Sequence, residues 1–515
     1  MSVLDLIVWR DLGLAGSRSN DSSSWAKRNA PRLRASPFYD KKCCFSAPPL
    51  LSQWDALSEY SSTIVPNLFT ERRHDVGCLN KIFASQWLDD GRVALGTKCN
   101  RLVVLDVAES VGARSRRRAR KRDARGRLLP NSSSSTPTVA GLTRIPNLRS
   151  SARSKWDAEE WGAHSGIHAL KLNPSRTRLA TGGEQPSDLA VYSLDDRHSF
   201  RPVTGGEAAH SDWMFDLEWI DDEVVVSGSR DGTLALWRFP EDPADAASCS
   251  HVQFVPYLPA QFPNRAGFPR QAEHAKKRYA CTEALQTKRM THFDRVRCLA
   301  HSRRAASVVA ASLNCSIVEV DIASFRPLRQ AQTLSGGGGG GEFSEMVCMR
   351  HSADERVLAV GSRHYFSFFD VASGRLERFM DVQLPKRNQG ALGLAFHGWG
   401  SLAPVGVRSI SWRGPIVTVG TGSGEMLFYD VRKHDYLACH AHPVCCKQKT
   451  LLVGTGWTGV DEAQQGDWSV HGVGGGGGCP TAVYTHCYDD AGSRLFAAGG
   501  PIAASIQGNY AAVWH

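Results

Sequence analysis

One stretch of thirty residues, from His210 to Phe239, constrains the fold of this chain more than any other feature. Its sequence is HSDWMFDLEWIDDEVVVSGSRDGTLALWRF. A histidine precedes a first apolar strand, a second strand ends on Ser-Gly-Ser, Asp231-Gly232 forms a tight turn, and Trp237 lies on a third strand. Several residue types at fixed offsets over thirty positions indicate one repeat of an all-β propeller.

The polar residues of this stretch predict a buried hydrogen-bonded chain. We expect His210, a hydroxyl of the second strand (Ser227 or Ser229), the turn carboxylate of Asp231 and the indole N–H of Trp237 to satisfy one another. Such a network fixes a blade because no buried polar group is left without a partner. The pattern is typical of a WD40 repeat.

The same order of strands and turns recurs along most of the chain. Each repeat has an apolar strand, a second strand that ends on small residues (ALGTK, LATGG, VVSGS, AVGS, TVGTG, FAAGG), a polar turn and a third apolar strand. The chain is therefore predicted to be all-β, a seven-bladed WD40 β-propeller whose ring leaves no free sheet edge at its closure. The seven predicted segments are Lys81–Val107, Gly166–Leu194, His210–Phe239, Asp294–Ile322, Ser344–Val371, Gly406–Arg432 and Pro480–His515.

The last repeat ends on its third strand, so its outer strand must come from elsewhere. Ser62–Glu71 (STIVPNLFTE) is the best candidate, and this pairing would lock the two ends of the ring. We therefore divide the chain into an arm, residues 1–60, with a short helix near Ser52–Tyr60, and a propeller, residues 61–515. The propeller contains a basic and serine-rich insertion at 112–136 and long connectors at 240–293 and 433–479.

Charge is concentrated in one place. Gly112–Arg127 carries nine basic residues and one aspartate, which leaves only about +2 of the total charge of +10 for the rest of the chain. A globally basic, nucleic-acid-binding surface is not implied. The run itself fits a nuclear-import signal, a loop that attracts phosphate, or a solvated insertion without a role.

Composition and motifs argue against an enzyme. No phosphate-binding loop or zinc-protease motif is present, no apolar run approaches the roughly 18 residues of a membrane span, and the N-terminus does not resemble a signal peptide. The fourteen irregularly spaced cysteines suit a reducing compartment. Cys439–Cys446 is rich in zinc-ligand residue types, but its spacing matches no familiar zinc module, and we predict neither metal nor cofactor.

Cations recur at two equivalent places of the repeats. Lys98 and Arg230 each stand seven residues before the last large residue of the third strand, and Arg363 lies within one residue of the equivalent position in its repeat. A second place, at the start of the first strand, holds Arg297 and Arg408. Both places face the mouth of the central channel, as does Lys81. The alternative is that these are ordinary solvated charges, but their recurrence favours a pocket for a compact polyanion such as the acidic C-terminus of a peptide.

Several segments outside the general repeat pattern resemble a known family, the cullin-4-associated WD40 factors that act as substrate receptors for C-terminal di-glutamate degrons. The resemblance covers most of residues 60–515. Its specific segments are LNKIFASQWL, GTKCNRLVVLDV, LNPSRTRLATGG, VSGSRDG, VGTGSGEMLFYDVR, AVYTHCYDDAGSRLFAAGGP and GNYAAVW.

This resemblance implies a non-catalytic receptor of a cullin-4 RING ubiquitin ligase in the cytoplasm and nucleus. Its partners would be the triple-propeller adaptor, damage-specific DNA-binding protein subunit one, and client proteins with acidic C-termini. Lys81, Lys98, Arg230 and Arg408 match the family's motifs, and Arg297 follows by its place in the repeat. Adaptor docking would use the W-D-x-R-like Tyr429, Asp430 and Arg432. The alternative is a WD40 scaffold that binds nucleic acid or phosphoinositide through the basic run.

Overall fold

A computed structural model of the chain shows a seven-bladed β-propeller, which confirms the predicted fold. Strand a of each blade lines the central channel and packs against strand a of both neighbouring blades, so the ring is closed. The structure describes residues 62–77, 79–107, 142–145, 166–183, 189–194, 200–207, 209–240, 253–257, 277–290, 293–314, 316–332, 346–362, 365–385, 406–438, 449–454, 458–459, 481–502 and 506–515.

Strands a, b and c of every blade fall inside the seven predicted segments and pair antiparallel in chain order. In blades 1 to 4 they are Ile82–Asp89, Arg92–Thr97 and Leu102–Asp106; Ile167–Leu172, Arg178–Gly183 and Leu189–Leu194; Met214–Trp219, Val224–Ser229 and Thr233–Arg238; Val296–Ser302, Ser307–Ser312 and Ser316–Asp321. In blades 5 to 7 they are Cys348–His351, Val357–Gly361 and Tyr365–Asp370; Val407–Arg413, Ile416–Thr421 and Glu425–Asp430; Thr481–Tyr488, Leu495–Pro501 and Tyr510–Trp514.

A fourth strand, d, completes each blade on its outer side, and some blades carry further strands. For blades 1 to 5, strand d is Leu142–Ile145, Phe200–Glu207, Gln286–Arg289, Pro327–Gln332 and Glu377–Gln383. In blade 6, both Asp435–Tyr436 and Thr450–Leu452 pair with strand c. Blade 2 is widened by Lys277–Glu283, parallel to its strand d, and by Gln253–Tyr257. Thr458–Gly459 pairs with Gln507–Gly508. Parts of the segments expected as connectors therefore form strands.

The small residues at the end of strand b are explained by the packing between blades. In blades 1, 2, 3 and 5, a Cβ built on the strand-b glycine would lie 2.2–2.6 Å from the side chain that opens strand a of the next blade. The pairs are Gly96–Ile167, Gly182–Met214, Gly228–Val296 and Gly361–Val407. The described apolar core accordingly consists of seven clusters, one at each junction between neighbouring blades.

Tryptophans near the end of strand a tie neighbouring blades together. The indole N–H groups of Trp87, Trp219 and Trp412 each donate a 3.0 Å hydrogen bond to a strand-a carbonyl of the preceding blade. The acceptors are the carbonyls of Cys487, Lys171 and Arg350. These bonds fix the strands that form the channel wall.

Closure of the ring by the two ends of the chain is confirmed, but the predicted position of the closing strand is wrong. Strand d of blade 7 is Glu71–Arg73, which pairs antiparallel with Tyr510–Trp514. Residues 62–68, expected as part of the closing strand because the last blade needs an outer strand from upstream of blade 1, form a helix. Val65 and Phe69, four residues apart, pack on the cluster between blades 6 and 7, and these tertiary contacts favour the helix.

Candidate ligand-binding site at the channel mouth

A β-bulge at the same place in strand a shapes one end of the channel. In five blades, one residue near the start of strand a is skipped by the pairing with strand b. Bulges redirect side chains and are frequent beside functional sites. All five side chains are half-buried, because they lie on the channel wall. The bulge residues are Phe83, His168, Phe215, Arg297 and Arg408.

The turns between strands b and c lie at this same end. The N–H of the first turn residue donates to the carbonyl of the residue two positions before the bulge. Lys98 donates to Lys81 at 2.7 Å, and Arg230 donates to Trp213 at 2.8 Å. Leu313 and Gly422 make the equivalent bond in blades 4 and 6. The two predicted places are therefore neighbours, and together they form the rim of what we call the channel mouth.

The predicted cations have different environments at the mouth. Lys98 and Arg408 are half-buried. Arg230 lies 4.8 Å from the ring centre of Trp213, with its Nε 3.5 Å from Asp212 Oδ2. Lys81 is only 2% exposed and packs against Gly500, so it contributes charge behind the rim rather than an open contact. Arg363 lies outside the described residues.

Aromatic rings of blades 7, 1, 2 and 3 contact one another in a row along the mouth. His168 stacks on Phe83 with ring centres 4.6 Å apart, and Phe83 contacts Tyr484 edge-on at 5.2 Å. Phe215 meets His168 edge-on at 5.5 Å and lies 4.1 Å from the guanidinium carbon of Arg297. At the bulge positions, rings on blades 1 to 3 are thus followed by arginines on blades 4 and 6, while the turn cations of blades 1 and 3 stand above the rings of their own blades. Sequence reasoning assigned these rings no role.

Deeper in the channel, three charged residues form an ion network that sequence reasoning missed. One carboxylate oxygen of Glu218, in blade 3, accepts from Lys171 Nζ of blade 2 at 2.6 Å and from Arg350 of blade 5 at 3.0 Å. Burial opposes ionisation of Glu218, but the charges of Lys171 and Arg350 outweigh it and lower its pKa. Burial raises the pKa of the neighbouring Asp216. Lys171 and Glu218 stand three residues after their bulges, and Arg350 occupies the equivalent register of blade 5, two residues after Cys348, which pairs with the strand-b glycine. An alignment of the blades could have revealed this shared position.

The polar chain of blade 3 has one more member than expected. Trp237 Nε1 donates to Ser227 Oγ at 2.8 Å, and Ser227 Oγ lies 2.7 Å from His210 Nε2. His210 Nδ1 reaches Thr233 Oγ1 at 2.8 Å, and Thr233 donates to Asp231 at 2.5 Å. Burial opposes ionisation of Asp231, but the nearby His210 ring, the Thr233 hydroxyl and the backbone N–H of Ser211 keep its pKa below the usual range. Thr233 thus relays the chain between the histidine and the aspartate.

The residues expected to dock the adaptor lie at the opposite end of the strands. Asp430, fully buried, holds the Arg432 guanidinium by two hydrogen bonds of 3.1 and 3.0 Å. Tyr429 is buried. The helix at 62–68 reaches the same end, since a Cβ on Gly414 in the a–b turn of blade 6 would lie 3.0 Å from Ser62 Oγ. The first residue of this helix therefore lies beside blade 6.

The described residues carry no group of three or more histidine, cysteine, aspartate or glutamate side chains that could hold a metal ion. Cys439–Cys446, the basic run at 112–127 and the arm at 1–60 lie outside the described ranges. Within those ranges, no helix has the length and apolar composition required to cross a membrane.

Comparison with known proteins shows similarity to a propeller family and, over a shorter region, to a ribosome biogenesis protein among other relatives. The sequence profile of a propeller family, the DDB1- and CUL4-associated factor 12 beta propeller, matches residues 65–122 and 138–515. A 110-residue region is 27% identical to the ribosome biogenesis protein WDR12 homolog of Aedes aegypti; it makes up 18% of this chain and 26% of that protein. The second match spans about a quarter of its relative. Because the first covers most of the chain, this protein belongs to the DDB1- and CUL4-associated factor 12 propeller family.

Proposed function

We propose that this protein is a non-catalytic substrate receptor of a cullin-4 RING ubiquitin ligase, and that it binds clients by their acidic C-termini at the channel mouth. Family membership supports the general role of receptor. Recurrent cations at the mouth support the acidic ligand: Lys98, Arg230, Arg297 and Arg408 occupy two equivalent places of the blades. Arginine offers paired donors that match the two oxygens of a carboxylate.

The geometry of the mouth suits the end of a chain better than its middle. The cations sit at the inner ends of the blades, around one opening, and the ion network of Lys171, Glu218 and Arg350 lies below them. A chain end with two glutamates brings up to three carboxylates into a small volume, and a semi-enclosed site strengthens their attraction to the arginines.

The opposite end of the propeller supports adaptor docking. Asp430 fixes the direction of the Arg432 guanidinium, whose side chain remains 21% exposed. The helix at 62–68 begins beside the same blade. Clients and the adaptor would therefore occupy opposite ends and bind together without competition.

The client site is tested with a fluorescent peptide that ends in two glutamates. Replacing Arg230 or Arg297 with methionine is expected to weaken binding by at least tenfold, since a hydrogen bond to a charged group contributes about 1.5–3 kcal/mol. Arg238→Met is the matched control, because this arginine belongs to the same blade but pairs with Glu223, with 60% of its side chain exposed. Equal affinities of all three variants and the parent protein would refute the site.

Separate experiments test the C-terminus of the ligand and the adaptor-docking end of the propeller. Amidation of the peptide C-terminus should weaken binding strongly, whereas Arg432→Met should abolish co-purification of the adaptor and leave peptide binding intact. Deletion of residues 112–127 distinguishes the alternative function. If that deletion removes ligand binding while Arg230→Met does not, the protein is a scaffold that uses the basic run. Residence in the cytoplasm and nucleus remains part of the proposal, and imaging of the same deletion tests it.

A further inference from the structure

The ion network inside the channel has the form of a bridge across the channel wall. Lys171, Glu218 and Arg350 stand at the same depth on blades 2, 3 and 5, each two residues after the strand-a residue that pairs with the strand-b glycine. The contact between Arg350 and Glu218 passes in front of blade 4, where the residue at this depth is Ala300. Ala300, which is buried in the apolar cluster between blades 4 and 5, contributes no charge at this depth, so Glu218 and Arg350 pair past it.

The bridge is held in place from behind. Trp219 donates to the carbonyl of Lys171, and Trp412 donates to the carbonyl of Arg350, both at 3.0 Å. The strands are thus fixed by contacts that do not involve the charged groups. The side chains of Lys171 and Glu218 are 17% and 16% exposed and that of Arg350 is 39% exposed, so the bridge remains open to water on the channel side. A role limited to joining the blades does not require charges that face the channel.

We propose that Glu218 determines the ligand specificity of the mouth in two ways. It pairs with Lys171 and Arg350, so that neither cation binds the ligand, and it forms the floor of the pocket that limits how deep an acidic chain end enters. This inference rests on the proposed function. Three residues of a strand span about 10 Å, so a pocket with this floor admits about three residues of an extended chain. Without Glu218, Lys171 and Arg350 would add two positive charges directly below the arginines of the rim.

This arrangement predicts whether each charge change strengthens or weakens binding of the acidic peptide. Glu218→Gln keeps the shape but removes the negative charge, so the acidic peptide should bind more tightly. At an effective dielectric constant near 20 and a separation of about 10 Å, the gain is roughly tenfold per ligand charge at low salt. Lys171→Met leaves Glu218 with one cation less and should weaken binding by a similar factor. The double variant, Lys171→Met with Glu218→Gln, should return close to the parental affinity.

The experiment measures binding of the peptide ending in two glutamates to the full chain at two salt concentrations, with a thermal melt of each variant. Tighter binding by Glu218→Gln, weaker binding by Lys171→Met and restoration in the double variant support the inference. Glu218→Gln that binds no more tightly while it melts like the parent protein overturns it, as does a double variant as weak as Lys171→Met. If Glu218→Gln does not fold, the comparison of Lys171→Met with the double variant decides.

The proposed function and this inference fail in different ways. If the parent protein does not bind the acidic peptide, the proposed function is wrong. If the parent binds and loses binding with Arg230→Met, but the bridge variants do not follow the predicted signs, only the role of Glu218 is wrong.

Discussion

Ser227 is the residue whose replacement tests the polar chain of blade 3 most directly. It is fully buried, it accepts from Trp237 Nε1 at 2.8 Å, and it lies 2.7 Å from His210 Nε2. Ser227→Ala removes one oxygen with almost no change of volume. It leaves two buried polar groups without their partner, and each costs about 1–3 kcal/mol. We therefore expect the free energy of unfolding to fall by about 2–6 kcal/mol.

A double-mutant cycle separates this cost from a general effect of the site. In a Trp237→Phe background the indole N–H is absent, so Ser227→Ala should strand only His210 and cost about 1–3 kcal/mol. Urea unfolding of the four proteins, followed by fluorescence and circular dichroism, gives the coupling free energy, provided that all four have the same m-value. Additive losses, within about 0.5 kcal/mol, would show that the two residues act independently and would refute the relay.

Two further predictions concern the packing between blades and the response to acid. Gly228→Ala should lower the free energy of unfolding by about 1–3 kcal/mol, because its Cβ would lie 2.4 Å from Val296 Cγ1. Gly374→Ala has nothing within 4 Å but a φ of +79°, so it should lower that free energy by about 1 kcal/mol. Equal losses of stability in melting experiments would contradict the packing explanation. His486 is buried beside Ser409 Oγ, and burial lowers its pKa to about 4. Since the unfolded chain takes up this proton near pH 6.5 and the folded chain only near 4, His486 alone should lower the free energy of unfolding by about 2 kcal/mol from pH 7 to pH 5, in addition to contributions from His74, His301 and His351. His486→Asn should remove most of that fall in urea titrations at the two pH values, and an unchanged fall would assign it to other groups.

The blades could be predicted from the sequence because packing repeats at a fixed place. The ends of strand b carry small residues since the next blade packs there, as Gly96 does against Ile167. That requirement recurs in most blades and therefore leaves a visible pattern. The rim cations could be aligned for the same reason, because their places are fixed by the turn and the bulge rather than by distant contacts.

Other features depend on contacts between segments far apart in the sequence. Ser62–Glu71 was expected as strand because the last blade needs an outer strand, but Val65 in the helix and Phe69 just after it pack on the junction of blades 6 and 7. The bridge at Glu218 joins three blades, and no local pattern in any one blade indicates it. The strands added to blade 2 likewise lie in a stretch of sequence without the repeat.

Closure of the ring has a consequence for how the molecule is made. Thr70, beside the closing strand, bonds to His515, 445 residues further along the chain. A ribosome adding about 5–20 residues per second takes on the order of a minute to connect them. Throughout that time the outer edge of strand Glu71–Arg73 and the growing row of blades await their partners. Removal of Tyr510–Trp514 would therefore leave an open ring rather than a slightly smaller propeller.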